Sequence, residues 1–135
     1  MLRAFCKSKI QGLTVTRTDL NYPGSVTIDS VLAGKADILP NEMVQVLNLA
    51  NGVRIETYYI SGEPDKGEVC LNGAAARWFQ TGDRIIVLST AFYSEEEITN
   101  FKPKVIITDE KNRFVKSPSI PLCKRGRKGD SLRRR

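Results

Sequence analysis

Two β-rich runs flank Asn51-Gly52, and that arrangement constrains the fold more than any other feature of the chain. Met43 to Leu49 and Val53 to Ile60 are rich in β-branched and aromatic residues. Asn-Gly between two such runs is a strong local hairpin signal. The same texture recurs along the chain. Leu13-Thr14-Val15-Thr16 and Ser25-Val26-Thr27-Ile28-Asp29 alternate with the period of a half-buried strand. Glu68 to Leu71, Lys104 to Thr108 and Arg113 to Val115 add short strands, and Arg84 to Leu88 reads as a buried one. Thr81-Gly82-Asp83 and Asp109-Glu110-Lys111-Asn112 supply turns. Helices are predicted to be short: Ser30 to Ala36, Ala74 to Phe79, and a start at Ser94, where Ser94 and Glu97 form a capping box. Many short strands with regular turns predict a mainly β chain closed into a small barrel, since closure removes sheet edges.

Composition narrows the chemistry. The 135 residues suit one domain with a core of its own. There is no histidine, which excludes Ser-His-Asp and Cys-His catalysis and every metal site built on imidazole. Cys6, Cys70 and Cys123 are odd in number and far apart, so a disulfide framework or a four-cysteine zinc site is not expected. Residues 1–115 carry 13 basic and 14 acidic side chains, whereas residues 116–135 carry eight basic residues and Asp130. The net charge of +6 therefore belongs to the tail, through Lys124-Arg125-Gly126-Arg127-Lys128 and Arg133-Arg134-Arg135, and the barrel is near neutral. Residues 1–116 read as the barrel and 117–135 as a disordered basic extension, either simply solvated or a weak electrostatic grip on nucleic acid. Charge interrupts the N-terminus too soon for a signal peptide, and no apolar run is long enough to span a membrane. A cytoplasmic protein is expected.

Without histidine, the nucleophile candidates are Ser, Thr, Cys and Lys. Tyr22-Pro23-Gly24-Ser25 admits two readings. Pro23-Gly24 can be a plain turn opening a strand. Alternatively, Gly24-Ser25 is a self-cleavage site, where the Ser25 hydroxyl attacks the Gly24 carbonyl and leaves an N-terminal carbonyl group. A residue without Cβ tolerates the close approach this needs.

The chain resembles the pyruvoyl-dependent aspartate 1-decarboxylases. The matching segments are Ser8-Lys9-Ile10, Val15-Thr16, Asp19-Leu20-Asn21-Tyr22-Pro23-Gly24-Ser25, Leu39-Pro40-Asn41-Glu42, Asn51-Gly52-Val53-Arg54-Ile55-Glu56-Thr57-Tyr58, Leu71-Asn72-Gly73-Ala74-Ala75-Ala76 and Gly82-Asp83, in order over residues 1–115. The resemblance implies a double-psi β-barrel in a homotetramer. It implies cleavage into a β chain, residues 1–24, and an α chain, residues 25–135, headed by a covalent pyruvoyl group made from Ser25. It further implies conversion of L-aspartate to β-alanine and CO2, a step towards pantothenate. The resemblance also admits a helper protein in maturation as a partner.

Residue roles follow from the same resemblance. Gly24, Ser25 and Thr57 serve processing; Ser25 and Tyr58 serve catalysis, Tyr58 as the acid that reprotonates the carbanion. Lys9, Arg54, Thr57, Asn72, Gly73, Ala74 and Ala75 contact substrate. The chemistry is coherent. A carbanion needs an electron sink, and a carbonyl that captures the substrate amine is one. Two carboxylates need cations, and Arg54 offers a planar fork. Arg54 and Tyr58 share one face of a regular strand and Thr57 the other, so either a bulge or a neighbouring subunit must reconcile them. Relatives commonly carry histidine where this chain has Gln11. Two rival readings stand: an unprocessed β-barrel binding module with a nucleic-acid-binding tail, and the same chemistry on another small amino diacid.

Overall fold

The computed structural model describes residues 1–118; the remainder of the basic tail, with Cys123, lies outside the described residues. Among the described residues, nine strands form one mixed sheet: β1 (Leu2–Thr14), β2 (Arg17–Asp19), β3 (Ser25–Asp29), β4 (Met43–Asn48), β5 (Arg54–Gly62), β6 (Val69–Asn72), β7 (Arg84–Ser94), β8 (Lys104–Thr108) and β9 (Phe114–Lys116). Their spatial order is β2-β6-β3-β5-β4-β7-β1-β8-β9. β1 and β2 lie far apart in that order yet are consecutive in the chain, joined by Val15 and Thr16. Val15 N donates to Asp83 O at 2.9 Å and Thr16 N to Val69 O at 2.9 Å, so this link ties the two ends of the sheet together. The result is the small, mainly β barrel that the strand pattern predicts. Among the described residues no helix is long and apolar enough to cross a membrane.

The interior is built from one parity of each strand. Ile10, Leu13, Val26, Ile28, Val46, Tyr59, Leu71, Ile85 and Val87 are all buried in one apolar cluster. Burying such side chains stabilises the fold by roughly 1.5–3 kcal/mol each. The Asn51-Gly52 hairpin forms as predicted, with Leu47 opposite Arg54 and Met43 opposite Tyr58. Its loop is wider than a two-residue turn: Gly52 N donates to Asn48 O at 2.8 Å and Asn48 N to Val53 O at 2.8 Å. Ser25–Asp29 is a strand with the predicted bounds. Helix α1 spans Ser30–Lys35 and α2 spans Glu95–Ile98, and α2 carries the predicted Ser94–Glu97 capping box.

Three elements differ from expectation. The first strand runs back to Leu2, and its pairing with β7 is interrupted between Cys6 and Ser8 and between Gln11 and Leu13. β7 continues to Ser94, and only one of its faces is buried: Ile85 and Val87 point inward, while Ile86 and Leu88 are half-buried. The predicted helix at Ala74–Phe79 is a 3₁₀ turn over Gly73–Arg77. After β9, Ser117 Oγ donates to Val105 O at 2.9 Å, so ordered contacts reach one residue past the expected boundary.

Candidate active site

β3 opens at Ser25, directly after the Pro23-Gly24 turn, and Ser25 is antiparallel to Asn72 at the end of β6. That pairing brings together residues that are 47 positions apart in the chain: Asn72 Nδ2 donates to Ser25 Oγ at 2.9 Å and to Thr27 Oγ1 at 3.1 Å. Ser25 Oγ in turn donates to Pro23 O at 3.2 Å. Ser25 and Asn72 are both buried. The Ser25 hydroxyl is thus withdrawn from solvent and held against the Pro23 carbonyl, two residues back.

Gly73 follows Asn72 and starts the 3₁₀ turn with φ +65°. A Cβ there would lie 2.7 Å from Gly24 Cα and 2.8 Å from Tyr22 O. Only glycine allows the two backbones to approach so closely and adopts this left-handed conformation without strain. The turn then carries Ala74 and Ala75 to the rim of a cleft of about 350 Å³, lined by Gly24, Ile55, Glu56, Thr57, Ala74, Ala75 and Trp78. Gly24, Thr57, Ala74 and Ala75 were expected at the site from sequence. Ile55, Glu56 and Trp78 were not, and nothing in their local sequence marks them as lining residues.

Strand parity decides where the remaining candidates lie. Val26 pairs in parallel with Tyr59, and both are in the core. One step back along the register, Tyr58 runs beside Ser25 on the opposite, outward face. The β4–β5 register is unbroken from Met43↔Tyr58 to Leu47↔Arg54. No bulge reverses the alternation, so Arg54, Glu56 and Tyr58 share the outer face and Thr57 points the other way; Thr57 and Glu56 both border the cleft. Arg54 is exposed, with Nη1 donating to Gln45 Oε1 at 2.7 Å, and lies roughly 13 Å along the strand from Tyr58.

Lys9 on β1 pairs with Leu88, Leu88 with Gln45, and Gln45 with Glu56. It therefore stands on that same outer face, three strands or roughly 14 Å from β5. Within one chain, the fold brings together Gly24, Ser25, Thr57, Asn72, Gly73, Ala74 and Ala75, with Tyr58 alongside. It leaves Lys9 and Arg54 apart from the cleft. Gln11 lies in the row of Ile86, Leu47 and Arg54. Among the described residues, no group of three acidic or cysteine side chains is placed to hold a metal ion.

A second polar cluster links β1, β7 and the segment that leads into β4. Glu42 accepts from Lys7 Nζ at 2.9 Å, from Leu39 N at 3.3 Å and from Ser89 Oγ. Burial pushes its carboxyl up, but the hydrogen bonds from Ser89, Lys7 and Leu39 outweigh this and leave it below the usual carboxylate range.

A cleft of this size, set against a buried hydroxyl and its own Gly-Ser peptide, defines a small-molecule enzyme site on a β-barrel. The particular family follows from comparison with known proteins. The aspartate decarboxylase family model matches residues 1–115, and the chain belongs to that family. It is 56% identical over 115 residues to the aspartate 1-decarboxylase of Thermoanaerobacter pseudethanolicus, covering 85% of this chain and 98% of that protein. It is 51% identical over 114 residues to the enzyme of the same name from Listeria monocytogenes serovar 1/2a, covering 84% and 90%. The Desulfitobacterium hafniense protein of that name is 51% identical over 116 residues, covering 86% and 91%.

Proposed function

We propose that the chain cleaves itself between Gly24 and Ser25 and then decarboxylates L-aspartate to β-alanine and CO2, supplying pantothenate synthesis in the cytoplasm. The observation that carries this reading is the buried Ser25 hydroxyl, bonded by Asn72 Nδ2 at 2.9 Å, beside a glycine that lines the cleft. Its support is the family membership over residues 1–115, which includes every residue named below.

Processing uses the chain's own groups. Ser25 Oγ adds to the Gly24 carbonyl carbon, and the Gly24–Ser25 amide C–N bond breaks as an ester forms. Loss of the Ser25 Cα proton expels the Gly24 carboxylate and leaves dehydroalanine. Water then releases ammonia, and residue 25 becomes a pyruvoyl group. Asn72 holds the hydroxyl for the first step, and Thr57 stands on the cleft side of the same peptide.

The surroundings fit such a group: residue 25 is enclosed, the Asn72 amide can donate to an oxygen there, and Gly73 leaves room for the Gly24 backbone. A pyruvoyl carbonyl supplies an electron sink when the substrate amine is bound to it. Ala74 and Ala75 shape the cleft wall. Tyr58 carries the proton returned to the substrate carbon. Arg54 and Lys9 neutralise the two substrate carboxylates, with the Arg54 guanidinium forking one of them.

Those last two cations point to assembly. Lys9, Arg54 and Tyr58 share an outer face on which Met43 is 52% and Phe92 68% exposed. Leu88 and Thr90 line a groove there together with Gln45 and Glu56. A homotetramer of processed chains covers this face and carries one copy's cations to another copy's cleft. The functional test is to supply L-aspartate or L-glutamate to the purified chain. β-Alanine and CO2 from aspartate are expected, and CO2 released from glutamate alone would refute the substrate.

A further inference from the structure

Behind Asn72 lies a side chain that the mechanism above does not use. Cys70 is fully buried, sits on the Ser25 side of β6 and takes no part in the apolar core cluster. Its Sγ lies 3.1 Å from Asn72 Oδ1. The four groups form one chain of donors running in a single direction: Cys70 S–H to Asn72 Oδ1, Asn72 Nδ2 to Ser25 Oγ, and Ser25 O–H to Pro23 O.

A carboxamide has two ends of nearly equal size, one accepting and one donating. The hydroxyls of Ser25 and Thr27 can each donate or accept, so they tolerate either end. While Ser25 gives its proton to Pro23 O, it needs the amide's donor end. Once that proton moves during attack on Gly24, this constraint disappears. A neighbour that donates to Oδ1 keeps the amide in place through the step.

We infer that Cys70 is a positioning residue for self-cleavage, its thiol fixing the Asn72 carboxamide so that Nδ2 faces Ser25. The inference rests on the proposal that Ser25 cleaves the chain. Burial pushes the Cys70 thiol up, with Glu68 and Asp19 reinforcing and Arg17 opposing, so the sulfur keeps the proton it donates. Cys70 touches neither the cleft nor the reacting atoms. It acts through Asn72 alone.

The test compares Cys70→Ala with Cys70→Ser in the full chain. Cleavage of freshly purified precursor is timed by intact mass, and thermal midpoints are recorded alongside. Cys70→Ala is expected to lengthen the cleavage half-time about fivefold to thirtyfold, the scale of one lost buried hydrogen bond. Cys70→Ser, which keeps a donor, is expected to restore it to within about threefold. Parental cleavage in Cys70→Ala, or equal slowing in both variants, overturns the inference in favour of simple packing. A second readout does not depend on cleavage: the side-chain NH₂ signals of Asn72 in ¹⁵N spectra. They should shift and exchange faster in Cys70→Ala and return in Cys70→Ser. Unchanged Asn72 signals in Cys70→Ala overturn the inference even if the parent chain never cleaves, an outcome that by itself defeats only the self-processing reading.

Discussion

Gly73→Ala tests the close approach on which the site depends. The residue holds φ +65°, and its added Cβ would meet Gly24 Cα at 2.7 Å, Gly24 N at 2.8 Å and Tyr22 O at 2.8 Å. Two costs are expected. A left-handed backbone with a Cβ costs about 1–2 kcal/mol. The clash with backbone atoms adds the ~1–3 kcal/mol typical of overpacking, because backbone cannot rotate away as a side chain can. Gly52→Ala isolates the first cost, since Gly52 has φ +75° and, among the described residues, no atom within 4 Å of a built Cβ.

Thermal unfolding at one protein concentration should therefore lower both variants, Gly73→Ala further by at least about 3 °C. The functional effect should separate them more sharply. Relieving a 2.7 Å contact to the usual carbon separation of ~3.5 Å displaces Gly24 by roughly 0.8 Å. A shift of that order costs up to ~10²-fold in a reaction between positioned groups. Cleavage timed by intact mass should be about 30- to 100-fold slower in Gly73→Ala and unchanged in Gly52→Ala. Equal midpoints and equal cleavage in the two variants would refute the argument that Gly73 exists to admit Gly24.

Other perturbations address separate parts of the account. Arg54→Lys keeps charge but not the planar fork, so kcat/KM for L-aspartate should fall by about 2–3 kcal/mol while Gly24–Ser25 cleavage persists, as steady-state kinetics on fully processed enzyme will register. Tyr58→Phe removes only the phenolic O–H. The variant should fold and process, with β-alanine release reduced ~10²–10⁴-fold, and parental turnover would mark Tyr58 as a packing residue. Glu42 has its carboxyl held below its unfolded value, so its contribution is complete above the unfolded pKa and lost as pH falls through the folded one. Thermal midpoints from pH 7 to 3 should show the parent about 1–2 kcal/mol more stable than Glu42→Gln near neutrality, with the gap closing below about pH 4.

Local chemistry made much of the barrel legible. Ser25 to Asp29 alternates cleanly and is flanked by a turn and an N-cap, so its bounds could be read directly. The Asn51-Gly52 hairpin declared its own partner strands, and its alternation alone sets Thr57 opposite Arg54 and Tyr58. The start of β1 was hidden because Arg3, Lys7 and Lys9 occupy a strand whose pairing is twice interrupted, which blurs a two-residue period. β7 read as fully buried because Ile86 and Leu88 look like core, although one chain buries only its inner face.

The site was legible by resemblance rather than by local pattern. Asn72 meets Ser25 only through the β3–β6 pairing, a contact no short motif announces. Trp78 lines the cleft at the end of a 3₁₀ turn, an element that the Ala-rich sequence does not distinguish from an α-helix. Lys9 needs the strand order, since its distance from β5 is set by β7 and β4 lying between them.

On the proposed function, Ser25 converts one chain into two. Intact mass of the purified protein tests it most directly. Cleavage at Gly24–Ser25 divides the 135 residues into chains of 24 and 111, the longer one blocked at its N-terminus by the pyruvoyl group. Ser25→Ala lacks the attacking oxygen and is expected as a single chain of full mass. A parent protein that stays whole, or a Ser25→Ala variant that divides at the same bond, contradicts the account.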